Sequence, residues 1–145
     1  LRTLLGRYLD MDRIETMLDG GHLRALALTG SSYSSGQHVT FYQSAQPVEP
    51  WLRSQRIAVK AQLTVEHLTA SSAIPFIFPA VELSVNGRPH FLGDGSMRQV
   101  APISPAIHLG ADRILVVGAG RLHVDSGGKE HVWFVDGGFA QATQA

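Results

Sequence analysis

The feature that most constrains the fold is residues 91–118, FLGDGSMRQVAPISPAIHLGADRILVVG. An alternating segment ends at Asp94, which stands between two glycines, and Pro102 then interrupts the chain. A short helix is predicted between Ser104 and Gly110, because Ser is a favoured N-cap, Pro is favoured at the first helical position and Gly is favoured directly after a helix. Residues 114–117, Ile-Leu-Val-Val, are typical of a strand covered on both faces. A strand, a helix and an apolar strand in this order indicate an α/β fold.

A hairpin signal lies directly upstream. Asn86-Gly87 separates two alternating segments, residues 81–85 and 88–92. Both central residues of a type I′ turn need positive φ, which Asn and Gly tolerate. Pro89 lacks a backbone donor and is therefore expected near a sheet edge. The sequence predicts an edge hairpin whose second strand leads to Asp94.

The first 70 residues predict further helices and strands. Apolar residues recur at helical spacing in residues 1–9 and 14–18, which predicts two helices. Residues 23–43 predict two strands around a polar loop, and residues 57–63 predict another strand. Thr64 is a good N-cap for a short helix over residues 65–70.

Residues 70–79, ASSAIPFIFP, follow that helix. Small side chains let a backbone pass close to its neighbours, and the Pro and Phe residues favour an extended, buried continuation. A packing role is the first interpretation of this segment. The alternative is that it lines an apolar substrate cleft.

The loop at residues 30–36, GSSYSSG, offers serines as candidate nucleophiles. A nucleophile elbow needs Gly two positions before and two positions after the Ser, because the strained turn has no room for side chains. Around Ser32 these positions are Gly30 and Ser34, and around Ser34 they are Ser32 and Gly36. Neither motif is complete. The loop is predicted to be structural or to form a substrate rim, with Ser32 or Ser34 as nucleophile the alternative.

Composition argues against several classes of ligand. Twelve basic and twelve acidic residues cancel, and no basic cluster is present, so a nucleic-acid partner is not expected. The chain has no Cys, and its seven His show no His-x-x-x-His spacing, so no metal is expected. Gly118-Ala-Gly120 resembles a dinucleotide-binding turn, but His123 occupies the third glycine position and no helix is predicted after it. We expect no cofactor.

Neither a membrane span nor a targeting segment is recognisable in the sequence. No apolar run approaches the roughly 20 residues of a spanning helix, and no signal peptide opens the chain, which favours the cytoplasm. The chain begins with Leu1, already inside an apolar-periodic segment. This start is typical of an internal piece of a longer protein.

The region around Asp94-Gly95-Ser96 resembles a known family. Together with residues 70–79 before it and residues 102–117 after it, this motif is similar to the C-terminal half of a bacterial patatin-like phospholipase domain. Residues 23–41 are similar to the corresponding family segment. The resemblance covers residues 1–120, and residues 121–145 are then a C-terminal extension or a truncated end.

The resemblance implies part of a patatin-like layered α/β fold, a mixed sheet with flanking helices, and a Ser–Asp dyad that hydrolyses acyl esters of lipids. Asp94 would be the general base, with Gly95 and Ser96 completing the motif. Ser96 stands where the family usually has Gly or Ala. The seven histidines would be spectators, and contact with a membrane would be peripheral. Asp136-Gly137-Gly138 is a rival motif, but it lacks the helix and strand that follow Asp94.

The family's Gly-x-Ser-x-Gly elbow and its glycine-rich oxyanion loop are missing, and both belong upstream of residue 1. The resemblance therefore implies that the parent protein is a lipid acyl hydrolase whereas this chain alone is inactive. The alternative is a truncated or degenerate homologue that acts as a non-catalytic binding or scaffold module.

Overall fold

The computed structural model describes residues 2–98, 103–126 and 129–143, and the chain divides into two compact units, Leu1–Pro102 and Ile103–Ala145. The described part of the first unit contains helices α1 (Arg2–Tyr8), α2 (Arg13–Asp19) and α3 (Val65–Ser71), a 3₁₀ helix (Gly95–Arg98), and strands β1 (Ala25–Ser32), β2 (His38–Ser44), β3 (Leu52–Arg53), β4 (Arg56–Lys60), β5 (Val81–Val85) and β6 (Arg88–Asp94). The described part of the second unit contains helix α4 (Ser104–His108) and strands β7 (Arg113–Ser126) and β8 (Lys129–Thr143).

The six strands of the first unit form one sheet in the order β3-β4-β2-β1-β6-β5. Strands β2 and β4 are parallel, and every other neighbouring pair is antiparallel. The sheet is therefore mixed, and the predicted α/β class is confirmed at this level.

The hairpin of β5 and β6 forms as the sequence predicts. Its central residues have positive φ, 52° at Asn86 and 77° at Gly87, as a type I′ turn requires. Val85 pairs with Arg88 across the turn. Strand β5 lies at an edge of the sheet, so the edge position is also confirmed.

The core forms where one face of the sheet packs against the helices. Side chains alternate along a strand, so Leu28 and the opposite Phe41 share this face. Two partly buried residues, Met11 just before α2 and Ile14 within it, pack against it. The buried members of the cluster are Val39, Phe41, Leu63, Ala70, Val85 and Leu92.

The segment after α3 differs from the prediction. Phe76 is fully exposed and Ile77 is 67% exposed, so the prediction of a buried extended continuation is wrong. The cause is a turn in which the Phe78 N–H donates to the Ile74 carbonyl at 2.9 Å. This turn is compact rather than extended, and Phe76 adopts a φ of 67° within it.

The second unit also differs from the prediction. Strand β7 pairs with β8 in a two-stranded antiparallel sheet, and Leu115 is 60% exposed. The prediction that residues 114–117 are covered on both faces is therefore wrong at Leu115, because a two-stranded ribbon offers less cover than a larger sheet. Pro102, which the sequence analysis expects to interrupt the chain, lies outside the described residues.

Candidate functional site

Asp94 lies where three parts of the first unit meet. It is the last residue of β6 and pairs with Gly30 of β1. Its backbone N–H donates to the carbonyl of Ala73, in the segment after α3, at 3.0 Å. The backbone of Asp94 is thus fixed by the neighbouring strand and by the α3–β5 connection.

The Asp94 carboxylate accepts two hydrogen bonds from Ser96. The Ser96 N–H donates to Oδ1 at 2.9 Å, and the Ser96 hydroxyl donates to Oδ2 at 2.8 Å. A carboxylate has about four lone-pair sites, so these two bonds leave acceptor capacity on both oxygens. Asp94 is only partly buried, and a further donor can approach from solvent.

The glycines on either side of Asp94 are required by close packing. A Cβ at Gly95 would collide with the Thr29 carbonyl oxygen and lie 2.7 Å from Thr29 Oγ1. A Cβ at Gly93 would lie 2.6 Å from Cζ of Tyr33. Neither glycine has positive φ, so their role is to let the turn lie against β1 and the serine loop.

The serine loop is tied to β6 by its side chains. Ser32 Oγ lies 2.9 Å from His90 Nδ1 and accepts the Ser35 N–H at 3.2 Å. Ser34 Oγ accepts the Phe91 N–H at 2.9 Å. A Ser–His hydrogen bond is one arrangement that activates a nucleophile, but Ser32 is only 2% exposed. The geometry therefore favours the structural interpretation of this loop.

A second Ser–His pair lies on adjacent strands without a bond. Ser31 of β1 is directly opposite His38 of β2, and both residues are buried. Within the described residues, Ser31 Oγ and His38 Nδ1 have no hydrogen-bond partner. Burial lowers the pKa of His38, and the Arg56 guanidinium lowers it further. Burial also lowers the pKa of His67, against the opposing effect of Glu66.

The sequence analysis predicts neither of the two Ser–His pairs. His90 is 58 residues from Ser32 in the chain, and no spacing rule joins such positions. The pairing of Ser31 with His38 could have been found, because it follows from the register of two strands that the sequence predicts as neighbours.

Described residues of the first unit line two open clefts, and Asp94 is not among the residues that line them. One, of about 830 Å³, lies between α1 and residues 62–66, where Arg2 and Glu66 form an ion pair at 2.6 Å. The other, of about 580 Å³, lies between the serine loop and the β5–β6 hairpin and is lined by Ser34, Arg88 and His90 among others.

The rival motifs do not form comparable sites. Gly118 and Gly120 lie within β7, at a register irregularity, so no helix N-terminus follows them to hold a phosphate. Asp136 lies within β8 rather than at a strand end. Among the residues that the structure describes, no group of three or more His, Asp or Glu could hold a metal ion. No helix in this part of the chain has the length and apolar character needed to cross a bilayer.

Comparisons with protein-family models, with curated proteins and with solved structures find no match to this chain.

Proposed function

We propose that this chain is part of a patatin-like lipid acyl hydrolase and that Asp94 is the general base of its Ser–Asp dyad. The nucleophilic serine comes from polypeptide upstream of Leu1, which would also complete the patatin-like layering. The observation that carries the proposal is the Asp94 carboxylate, which is anchored at a strand end by Ser96 and retains acceptor capacity. A base needs this combination of fixed position and free lone pairs.

In each half of the proposed reaction one proton moves onto Asp94 and then off it again. Asp94 accepts the proton of the serine hydroxyl while the serine oxygen attacks the ester carbonyl carbon. The tetrahedral intermediate then expels the alcohol, which takes the proton from Asp94, and an acyl-enzyme remains. In the second half Asp94 accepts a proton from water while the water oxygen attacks the acyl carbonyl carbon. The serine oxygen then leaves with that proton, and the fatty acid is released. General-base activation of this kind contributes about 10²–10⁴-fold in rate.

Ser32 of the loop is a poor substitute for the upstream nucleophile. Ser32 is buried, and its hydroxyl is hydrogen-bonded to His90 and to the Ser35 N–H. Its oxygen therefore cannot reach a lipid ester unless the loop unfolds. We therefore expect residues 1–145 alone to show no labelling by a fluorophosphonate probe. Labelling at Ser32 or Ser34 would move the nucleophile into this chain.

The exposed segment after α3 supports a lipid substrate and peripheral contact with a membrane. Ile74, Phe76 and Ile77 are exposed, and residues 68–81 contain no charged side chain. The segment adjoins the candidate base, because the Ala73 carbonyl accepts the Asp94 N–H. Exposed apolar side chains in a cluster indicate a binding surface, and an uncharged cluster suits acyl chains and neutral lipids.

Vesicle flotation tests this contact. Phe76→Ser combined with Ile77→Ser should reduce binding to phosphatidylcholine vesicles, whereas Leu52→Ser should not. Leu52 is 65% exposed in β3 and is the matched control for loss of an exposed apolar side chain. Equal losses in the two variants would contradict the assignment of the segment.

The decisive experiment is Asp94→Asn in the longest natural polypeptide that contains residues 1–145. Turnover of p-nitrophenyl esters should fall by at least 10²-fold, and the urea midpoint should stay close to that of the parent. The matched control is Asp10→Asn, because Asp10 Oδ1 also accepts the backbone N–H two residues on but has no proposed role. Full turnover by Asp94→Asn would refute the proposal.

A non-catalytic binding or scaffold module is the second candidate. It is favoured by the two bonds from Ser96, since an Asp that accepts a backbone N–H two residues on is a common turn motif. Under this alternative Asp94 only stabilises the turn into the 3₁₀ helix. Absence of ester hydrolysis in the parent polypeptide would support it.

A further inference from the structure

We infer that Ser96 is the positioning residue of the Asp94 carboxylate, an inference that rests on Asp94 being the base. Ser96 supplies two donors to two different oxygens, its N–H to Oδ1 and its hydroxyl to Oδ2. One bond would leave the carboxylate free to swing about the bonded oxygen. Two bonds from one residue fix both side-chain torsions of Asp94.

The hydroxyl is the part of Ser96 that carries this role. Any residue at position 96 other than Pro provides the N–H, but the donor to Oδ2 comes from the side chain. Hydrogen bonds to a charged group are roughly twice as strong as neutral ones, so this bond can hold the carboxylate even though Ser96 is exposed. Gly or Ala at this position would leave Oδ2 without its donor.

The backbone around the pair gives the hydroxyl a fixed origin. The turn that carries Ser96 lies against β1, since a Cβ at Gly95 would collide with Thr29. Asp94 itself is held by Gly30 and Ala73. Donor and acceptor are thus attached to the same packed framework, and the remaining lone pairs of Asp94 point away from Ser96 in a defined direction.

The consequence for catalysis is a change in kcat rather than in KM. A catalytic group must be held within about 0.5 Å and 10–20° of its productive geometry, and a carboxylate that rotates spends part of its time outside these limits. Ser96 does not touch the ester in this proposal. Its removal should therefore lower the rate of proton transfer and leave substrate binding unchanged.

The torsions of Asp94 are tested first, in residues 1–145. Three-bond couplings from the backbone N and C′ to Cγ report χ1 by NMR. Wild type and Ser96→Thr should each show a single Asp94 rotamer, whereas Ser96→Ala should show averaged couplings. Ser72→Ala is the control, because the Ser72 hydroxyl is also exposed but donates to the carbonyls of Leu68 and Thr69. A single Asp94 rotamer in Ser96→Ala would overturn the inference.

Kinetics in the longer polypeptide provide the second test. Ser96→Ala should lower kcat on p-nitrophenyl esters about tenfold with KM unchanged, and Ser96→Thr should restore kcat. An unchanged kcat in Ser96→Ala, together with an inactive Asp94→Asn, would overturn the positioning role while leaving the dyad in place. Full activity of Asp94→Asn would instead refute the proposed function, and with it any catalytic role of Ser96.

Discussion

Replacing Gly95 by Ala should destabilise the protein more than the same replacement at Gly93 or Gly30. In Gly95→Ala the new Cβ would collide with the Thr29 carbonyl oxygen and lie 2.9 Å from its carbonyl carbon. Thr29 belongs to β1, which is hydrogen-bonded to β2 on one side and β6 on the other, so its backbone cannot retreat. Overpacking of this kind typically costs about 1–3 kcal/mol, and a contact with backbone places Gly95→Ala at the upper end.

Two other glycines provide a graded comparison. In Gly93→Ala the Cβ meets the end of the Tyr33 ring, which is half-exposed and can swing away, so we expect an intermediate loss. Replacing Tyr33 by Ala in that background should recover most of it. In Gly30→Ala the nearest atoms are at 3.4 Å, which is ordinary contact, and the change should be close to neutral.

Urea unfolding followed by far-ultraviolet circular dichroism measures this order. For a slope near 2 kcal/mol per M, a loss of about 2–3 kcal/mol lowers the midpoint by about 1–1.5 M. The slope itself should not change, because the folded state keeps its buried surface. Equal midpoints for Gly95→Ala and Gly30→Ala would refute the claim that close packing, rather than chemistry, requires glycine at position 95.

Three further outcomes follow from the first unit. Burial lowers the pKa of His38 and of His67 from the usual value of 6.5. Both side chains are neutral in the folded and unfolded states above pH 6.5, and stability is lost as the pH falls from there through the lower folded-state pKa values, because the unfolded state takes up protons first. The urea midpoint should therefore decrease on acidification, and less so in His38→Gln. Asn86→Val should lose about 1 kcal/mol or more in the same assay, because a β-branched residue resists the φ of 52°, whereas Asn86→Gly should lose little. Phe41→Ala should lose about 3–5 kcal/mol, because Phe41 is a 2% exposed member of the core.

Local rules predicted the parts of the fold that local sequence controls. The β5–β6 hairpin follows from Asn86-Gly87, whose preference for positive φ is a property of two residues. The start of α3 at Val65 follows Thr64, although the reciprocal partner in its capping box is His67 rather than the usual Glu or Gln. These elements need no information from the rest of the chain.

Burial was predicted less well because it depends on what lies opposite. Residues 74–78 have the composition of a core segment, yet the turn after α3 exposes Phe76. Leu115 belongs to an apolar run, but its strand forms a two-stranded ribbon. Hydrophobicity identifies side chains that favour burial, whereas the arrangement of neighbouring strands and helices decides whether a partner surface covers them.

The position of Asp94 at a strand end was predictable, whereas its contacts were not. Alternation along residues 88–92 and the following glycines place the carboxylate where β6 ends. Its anchoring by Ala73 joins residues 21 apart in the chain, and no local pattern indicates it. The hydrogen bond from the Ser96 hydroxyl joins residues only two apart. In the sequence, however, Ser96 stands out as a departure from the usual Gly or Ala and not as a donor to Asp94.

The two candidate roles of Asp94 require the same carboxylate, so stability alone cannot separate them. Asn at position 94 is informative because its amide oxygen can accept the Ser96 N–H, and its amide nitrogen can donate to the Ser96 hydroxyl oxygen once the hydroxyl rotates. Both local contacts are kept, while the ability to take a proton is lost. Ala at position 94 removes the contacts as well. A stable but inactive Asp94→Asn therefore identifies a base, whereas full activity in Asp94→Asn beside a destabilised Asp94→Ala identifies a turn-forming residue.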